Sequence, residues 1–327
     1  MGTYVNIGNE AFASIRNGEY TDKSGLIEVG VIYLDMTDFS LRFSDTEDVV
    51  DVIQQDLKED LLQAFPAVKE VKEKDSFLFT LLKIAEQTGE QFFLIIDEWD
   101  TICRDAQPGS PQVDRYITWL RSTFKSIQAT RVFVGVYLTG ILPIKKYKTQ
   151  SALNNFWEYS MVMPRRMDSF FGFTKEEVRR LCENYAMDFD EMEKWYDGYR
   201  IGKQSSIFNP SSVMQAILSG ECDSYWAATG AYDSVAQYIG MNFDGLKDDI
   251  IKMLAGGRCK VNTTSFSNDM SIINNKDDVF TVLIHLGYLS YDREREECCI
   301  PNKEVGREMI NAVNANKWTV VSNARFL

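Results

Sequence analysis

The chain has 327 residues, 45% of them hydrophobic and 25% charged, which is typical of a folded globular protein with room for two domains. Its 35 lysines and arginines against 48 aspartates and glutamates give a formal net charge of −13, which disfavours binding to phosphate backbones and anionic membrane surfaces. With one histidine, His285, and six cysteines without a C-x-x-C spacing, multi-histidine zinc sites, zinc ribbons and disulfide frameworks are excluded.

The amino-terminal sequence also bears on location. It lacks the basic and apolar regions of a secretory signal, and no apolar run reaches the length of a membrane span. Scattered cysteines are typical of reduced thiols in a cytosol. These features predict a cytoplasmic protein that does not bind membranes.

From residue 30 to about residue 138, short apolar runs alternate with amphipathic stretches, which is typical of β-α units on a parallel sheet. The predicted strands are residues 31–35, 92–97 and 132–138, and the predicted helices are residues 44–65, 76–87 and 111–127. Ser44 is expected to cap the first of these helices. The strand at 92–97 shows no alternation, so it is expected to be covered on both faces.

After about residue 170 the strand signal fades and helix signals dominate. Thr174 and Glu177 form a capping box, Asn209-Pro210 opens a helix that Gly220 closes, and residues 246–254 form another helix. A last helix at 277–286, followed by a hairpin of residues 288–292 and 297–300, resembles a winged-helix element. We therefore predict an α/β domain at residues 1–168 and a mainly helical, winged-helix-like region at residues 169–327.

The most informative stretch is the apolar run that ends in Asp97 and Glu98. In α/β proteins, ligands bind at the carboxyl ends of such strands. An aspartate there can hold Mg²⁺ through its water shell, and a glutamate can orient an attacking water, as in the Walker B pair of a P-loop ATPase. The alternative is a strand that simply ends in polar residues. Thr139, after the next strand, would lie beside Asp97 if the strands are neighbours; it is a candidate γ-phosphate sensor or a cap of a backbone turn.

A phosphate cradle of the form G-x-x-x-x-G-K-[ST] does not occur in the sequence. The nearest string, residues 198–205, is one residue short and has Gln204 at the hydroxyl position. It follows a helix rather than a strand, so we interpret it as a helix C-cap and loop.

Several motifs together resemble the bacterial AAA-ATPase-like family, whose members are often followed by a PD-(D/E)xK nuclease-like region. In the first half they are residues 4–10, 16–23, 32–39, 94–100 and 137–147. In the second half they are residues 151–156, 171–174, 195–199, 209–210, 225–226 and 283–289. Each motif is weak, but the combination is specific and extends over nearly the whole chain.

The resemblance implies Mg-ATP binding and hydrolysis, with Asp97 and Glu98 as the Walker B pair, Asp97 as the metal ligand and Thr139 as the sensor. This sequence departs from the family in two ways. Lys23 is followed almost directly by the strand at Gly30, as if the first strand, the P-loop and the next helix were missing, and the chain ends before a nuclease-like region. The expected fold is thus an incomplete P-loop NTPase-like parallel sheet domain, with ATP binding in doubt.

The remaining candidates each have two interpretations. Lys145, Lys146 and Lys148, with Arg165 and Arg166, are basic residues that could contact phosphates or balance the acidic surface. The E-x-K string at residues 70–72 could derive from a nuclease motif, but it lies in a charged connection, so a solvated charge run is favoured. His285 lies on an apolar helix face, which favours a core or interface histidine over a catalytic one.

Two functional hypotheses follow. The first is a degenerate AAA-ATPase-like protein whose ancestral switch, driven by Mg-ATP hydrolysis, is weak or lost. The second is a non-catalytic interaction module whose region of residues 210–315 binds a protein partner, with nucleic acid disfavoured by the acidity.

Overall fold

A computed structural model describes residues 5–6, 30–42, 48–106, 110–141, 155–168, 170–226, 236, 238–241, 243–266 and 273–315. The chain divides into two compact units, Met1–Trp157 and Glu158–Leu327. The domain division predicted after residue 168 stays a prediction, because compactness alone does not define a domain. None of the helices in the described ranges is long and apolar enough to cross a membrane.

The first unit is built on a four-stranded sheet in the order β1-β2-β3-β4. Its strands are β1 (Val5–Asn6), β2 (Gly30–Asp35), β3 (Phe92–Asp97) and β4 (Phe133–Leu138). β2, β3 and β4 run parallel, whereas β1 pairs antiparallel with β2. The predicted three-stranded parallel sheet is therefore confirmed, and the carboxyl ends of its strands meet at one edge.

Six helices are described in this unit. They are α1 (Met36–Arg42), α2 (Val49–Ala64), α3 (Phe77–Thr88), α4 (Thr101–Asp105), α5 (Pro111–Phe124) and α6 (Ala129–Val132). Ser76 caps α3, and Gly89 ends it in the left-handed conformation with φ 79°. The prediction that Ser44 caps α2 is wrong: Asp48 accepts hydrogen bonds from the first-turn N–H groups, and Ser44 lies outside the described residues.

The sheet buries one face more completely than the other. Ile32, Leu34, Leu94 and Ile96 are fully buried in one hydrophobic cluster with apolar residues of α2, α3 and α5. On the opposite face the side chains of β3 are half-buried, so the predicted cover is complete on one face and partial on the other. The residues of β3 form an uninterrupted apolar run because the partly exposed face of the strand is apolar as well as the buried one.

The second unit combines helices with two small sheets. Its helices are α7 (Lys175–Tyr185), α8 (Phe189–Tyr196), α9 (Pro210–Ser219), α10 (Leu246–Leu254), α11 (Lys276–His285) and α12 (Lys303–Ala315). Its strands are β5 (Phe173–Thr174), β6 (Tyr199–Ile201), β7 (Gln204–Phe208), β8 (Cys259–Lys260), β9 (Ser290–Asp292) and β10 (Glu297–Cys299). The predicted capping box is present, since Thr174 Oγ1 accepts from Glu177 N and Glu177 Oε2 accepts from Thr174 N.

The antiparallel sheet β5-β7-β6 was not predicted. Residues 198–205 do follow a helix, and Gly198 has φ 108°, but β6 and the start of β7 form a hairpin around Gly202 instead of a loop. Strands of two to five residues are too short for a clear alternation, which explains the error. The second sheet, in the order β8-β10-β9, contains the predicted hairpin.

Candidate functional site

Acidic residues gather where β2 and β3 end. The parallel register places Asp35 directly beside Asp97, and Glu98 and Asp100 follow in the turn after β3. β4 ends at Leu138 beside Ile96, so Thr139 emerges at the same edge. Parallel strands bind ligands at this edge, and the candidate site is therefore the set Asp35, Asp97, Glu98, Asp100 and Thr139.

Thr139 is joined to the turn after β3 by four hydrogen bonds. Its hydroxyl donates to Asp97 Oδ1 and accepts from Glu98 N at 3.2 Å. Its backbone N–H donates to the Ile96 carbonyl at 3.0 Å, and its carbonyl accepts from Trp99 N at 2.9 Å. The structure thus brings Thr139 and Asp97 together because their strands are neighbours. Their catalytic and metal-binding roles stay predictions.

The second oxygen of Asp97 is also engaged. The Tyr33 hydroxyl donates to Asp97 Oδ2 at 2.8 Å, and this bond, with burial and the charge of Asp97 adding to it, raises the pKa of Tyr33 to about 12. Asp35 accepts from Thr37 N at 2.9 Å and Thr37 Oγ1 at 2.6 Å. We did not predict Tyr33 or Thr37. Tyr33 could have been found from its position two residues before Asp35, because alternate residues of a strand share a face.

Glu98 is held by an arginine that we also did not predict. Its backbone has φ 51°, and its carboxylate accepts from Arg104 Nη2. Arg104 Nε also lies 3.2 Å from Asp100 Oδ2, four residues earlier, and the Asp100 side chain is fully buried. Burial raises the pKa of Glu98, and the charge of Arg104 partly offsets that rise. Glu98 is therefore a paired carboxylate rather than a free base.

Asp100 connects this turn to the chain after β4. The Ile141 N–H donates to Asp100 Oδ1 and Oδ2, both at 3.3 Å. Gly140 lies so close to this pair that an added Cβ would sit 2.4 Å from Asp100 Oδ1 and 2.6 Å from the Trp99 ring. The end of β3 and the turn after it are thus bonded to the chain after β4 through both side chains and backbone. We call this set of bonds, between residues 96–100 and 139–141, the clasp.

The donor set suits a hard cation. Carboxylate oxygens are the ligands of Mg²⁺, which keeps several waters and uses one or two carboxylates. No cluster of three or more histidine, cysteine or acidic residues with metal-site geometry occurs in the described ranges. Asp35 and Asp97 are carboxylates of the kind that Mg²⁺ prefers, and a Mg²⁺ ion held by them stays a prediction. No phosphate cradle accompanies them in the sequence.

The other predicted residues lie elsewhere. Lys145, Lys146 and Lys148 are outside the described residues. Glu70 is exposed in the connection between α2 and α3, 4.0 Å from Lys83, as expected for a solvated charge run. His285 is half-buried at the end of α11, and burial lowers its pKa to about 4.

The fold and the site define a mixed α/β protein with carboxylates at the carboxyl edge of a parallel sheet. Residues 27–149 match the model of the AAA-ATPase-like family, described as a predicted AAA-ATPase. This segment contains β2 to β4, the Asp97–Glu98 pair and Thr139. The predicted resemblance to the AAA-ATPase-like family is confirmed over this segment. No curated protein matches the chain.

Proposed function

We propose that this chain is a degenerate AAA-ATPase-like protein of the bacterial cytoplasm, whose P-loop unit is missing and whose ATPase activity is weak or lost. The observation that carries the proposal is the clasp itself. Within the family-matched segment, Asp97 is bonded to Tyr33 and Thr139, and Glu98 contacts Arg104. The carboxylates of an ATPase site remain, but they are bonded to the protein.

The proposal follows from the needs of phosphoryl transfer. Mg²⁺ neutralises charge on the β- and γ-phosphates, a base or water-positioning residue orients the nucleophile, and backbone N–H groups with a lysine hold the phosphates. Asp97 could still hold Mg²⁺ through water, since each carboxylate oxygen has a second lone pair. Lys145 and Lys146 are the proposed phosphate contacts. Without a cradle of backbone N–H groups, these side chains would hold a triphosphate weakly.

Thermal unfolding with and without Mg-ATP tests this proposal. A ligand that binds the folded state at a hundred times its Kd stabilises it by about 2.7 kcal/mol, so a tight site would raise the Tm by several degrees at millimolar Mg-ATP. We expect no measurable shift, and no hydrolysis above background. The same scan with Mg²⁺ alone separates cation binding from nucleotide binding.

Two variants make the result interpretable. Asp97→Ala removes the proposed metal ligand, and Glu73→Ala removes an exposed carboxylate between α2 and α3 as a matched control. A clear Mg-ATP shift in the wild type that survives Glu73→Ala but not Asp97→Ala would mean that the site is an intact nucleotide site, and the proposal would be wrong.

The element order of the second unit supports the second candidate, a winged-helix-like interaction module. The described elements run α10, β8, α11, β9, β10, and their sheet has the order β8-β10-β9. A helix followed by a hairpin in a small sheet is what supports this candidate. In a DNA-binding module of this type, the helix before the hairpin projects side chains into the major groove. Here that helix is α11, whose residues from Asp278 to Ile284 are all buried. A helix buried on every side cannot enter a groove, which favours a protein partner over nucleic acid.

This candidate predicts no specific duplex binding. Fluorescence anisotropy with a labelled DNA duplex at about 50 and 200 mM salt would measure it, because phosphate contacts weaken steeply with salt. Salt-dependent binding that is lost when Lys145, Lys146 and Lys148 are replaced together would identify a basic nucleic-acid site and contradict the preference for protein.

A further inference from the structure

The less covered face of the parallel sheet forms an apolar platform. The strand register places its side chains in two rows across β2, β3 and β4, which are Val31, Phe93 and Gly135 in one row and Tyr33, Ile95 and Tyr137 in the next. We call these six residues the open face. They point away from the fully buried cluster of Ile32, Leu34, Leu94 and Ile96.

The open face is accessible to solvent. Tyr33 is 44% exposed and Tyr137 is 42% exposed, with the half-buried Ile95 between them. Parallel sheets are normally covered on both faces, because both carry apolar side chains. A sheet face that is apolar but exposed needs another element to bury it. Among the described residues, which leave out 7–29 and 142–154, the open face is only partly covered, and its composition points to a further covering layer.

The border of the open face is acidic. The next row toward the carboxyl ends begins with Asp35 and Asp97, and Asp38 lies in the first turn of α1. All three carboxylates act electrostatically on the Tyr33 hydroxyl, which places them around the end of that side chain. A covering element thus meets apolar side chains in the middle and negative charge at one end.

We propose that the open face binds a basic amphipathic helix of a partner protein. Three strands spaced by about 4.8 Å span about 10 Å, which is the diameter of one helix with its side chains. The apolar side of the helix would cover Tyr33, Ile95 and Tyr137. Its lysines or arginines would reach Asp35 and Asp38 at the border.

Charge favours a basic helix over a second copy of the chain, an anionic membrane or a nucleic acid as the occupant of the open face. A second copy of the chain would bring two acidic borders together, and each copy carries a net charge of −13. An anionic membrane or a nucleic acid is repelled by the same charges. A cationic helix is attracted, and its apolar side matches the two rows.

A pair of peptides tests the proposal by isothermal titration calorimetry. One is an 18-residue amphipathic helix with leucines on one side and lysines on the other, and its partner has glutamates in place of the lysines. We expect the lysine peptide to bind and the glutamate peptide not to bind. Tyr137→Ser, which removes apolar contact, and Asp38→Lys, which reverses a border charge, should each weaken binding by about tenfold.

Matched variants control for non-specific attraction. Ile127→Ser removes an exposed apolar side chain and Glu73→Lys reverses an exposed charge, both in the same unit but away from the open face. These two variants should bind as the wild type does, and melting curves of all four establish that they fold. Absence of lysine-peptide binding, or equal losses in test and control variants, would overturn the proposal. So would a dimer in sedimentation that Tyr137→Ser dissociates, because it would assign the face to a second copy.

Discussion

Asp97 is the predicted metal ligand, and in the structure it links neighbouring strands. Its two oxygens accept from Tyr33 on β2 and from Thr139 after β4. A hydrogen bond to a charged acceptor contributes about 1.5–3 kcal/mol. The carboxylate therefore joins three strand ends at the place where an ATPase would hold its metal.

The position of Asp97 and its neighbour Thr139 could be predicted from the sequence, whereas the contact of Asp97 with Tyr33 was not predicted. Asp97 ends an apolar run, which is a local pattern. Tyr33 is 64 residues earlier, and its contact depends on which strand lies beside which and in which register. Arg104 contacts Glu98 because the chain turns through φ 51° at Glu98 itself, a conformation that no local pattern indicated.

Gly140 gives the prediction that belongs to the residue scale. An alanine Cβ would lie 2.4 Å from Asp100 Oδ1, so the buried carboxylate would have to move away from Ile141 N and Arg104. We expect Gly140→Ala to lower the free energy of unfolding by about 1–3 kcal/mol, from crowding and a disturbed buried acceptor. Urea unfolding measures the change.

Gly306→Ala is the matched control. Gly306 lies inside α12, where an added Cβ would have ordinary contact at 3.8 Å with Ile300. Alanine there should be neutral or stabilise the protein by up to about 1 kcal/mol. A Gly140→Ala protein as stable as the wild type would show that the clasp tolerates a shifted Asp100.

At the scale of elements, helix signals from the sequence were reliable where a cap and a stop were both present. Asn209 and Gly220 bound α9, and the predicted helix at residues 246–254 is α10. The sheet β5-β7-β6 was missed because its strands are short, and the cover predicted for both faces of β3 is complete on one face only. An apolar run shows that both faces of a strand are apolar, but not that both are covered.

Helix α11 carries a prediction of its own, because it ends in the one histidine of the sequence, which is half-buried. Burial lowers the pKa of His285 from its usual 6.5 to about 4. Below pH 6.5 the unfolded chain takes up a proton that the folded chain does not, so this residue makes the protein less stable as the pH falls toward 4. We expect its contribution to fall by about 2 kcal/mol between pH 7.5 and pH 5.

Urea unfolding of the wild type and His285→Gln at both pH values isolates this effect. Other titrating groups act equally on both proteins, so the difference between the two slopes belongs to His285. The variant should lose about 2 kcal/mol less than the wild type on acidification. Equal losses in the two proteins would mean that His285 reaches water and protons in the folded state.

At the scale of the whole molecule, the net negative charge and the hydrogen-bonded carboxylates at the sheet edge both disfavour nucleotide binding. A net charge of −13 repels free nucleotide, and the sequence contains no G-x-x-x-x-G-K-[ST] motif to compensate for that repulsion. The same acidity, combined with an exposed apolar sheet face, attracts a basic partner instead. Composition alone disfavours anionic partners, and the sheet register defines the face to which we propose that a basic partner binds.

The central claim is that the chain keeps the Asp97–Glu98 pair at the carboxyl edge of its sheet but binds Mg-ATP more weakly than an ATPase must. Isothermal titration of the purified protein with Mg-ATP, against a titration with Mg²⁺ alone, tests it most directly. We predict no nucleotide-dependent heat at concentrations up to about 1 mM, corresponding to a binding free energy weaker than about −4 kcal/mol. Micromolar Mg-ATP binding that Asp97→Ala abolishes would contradict the claim.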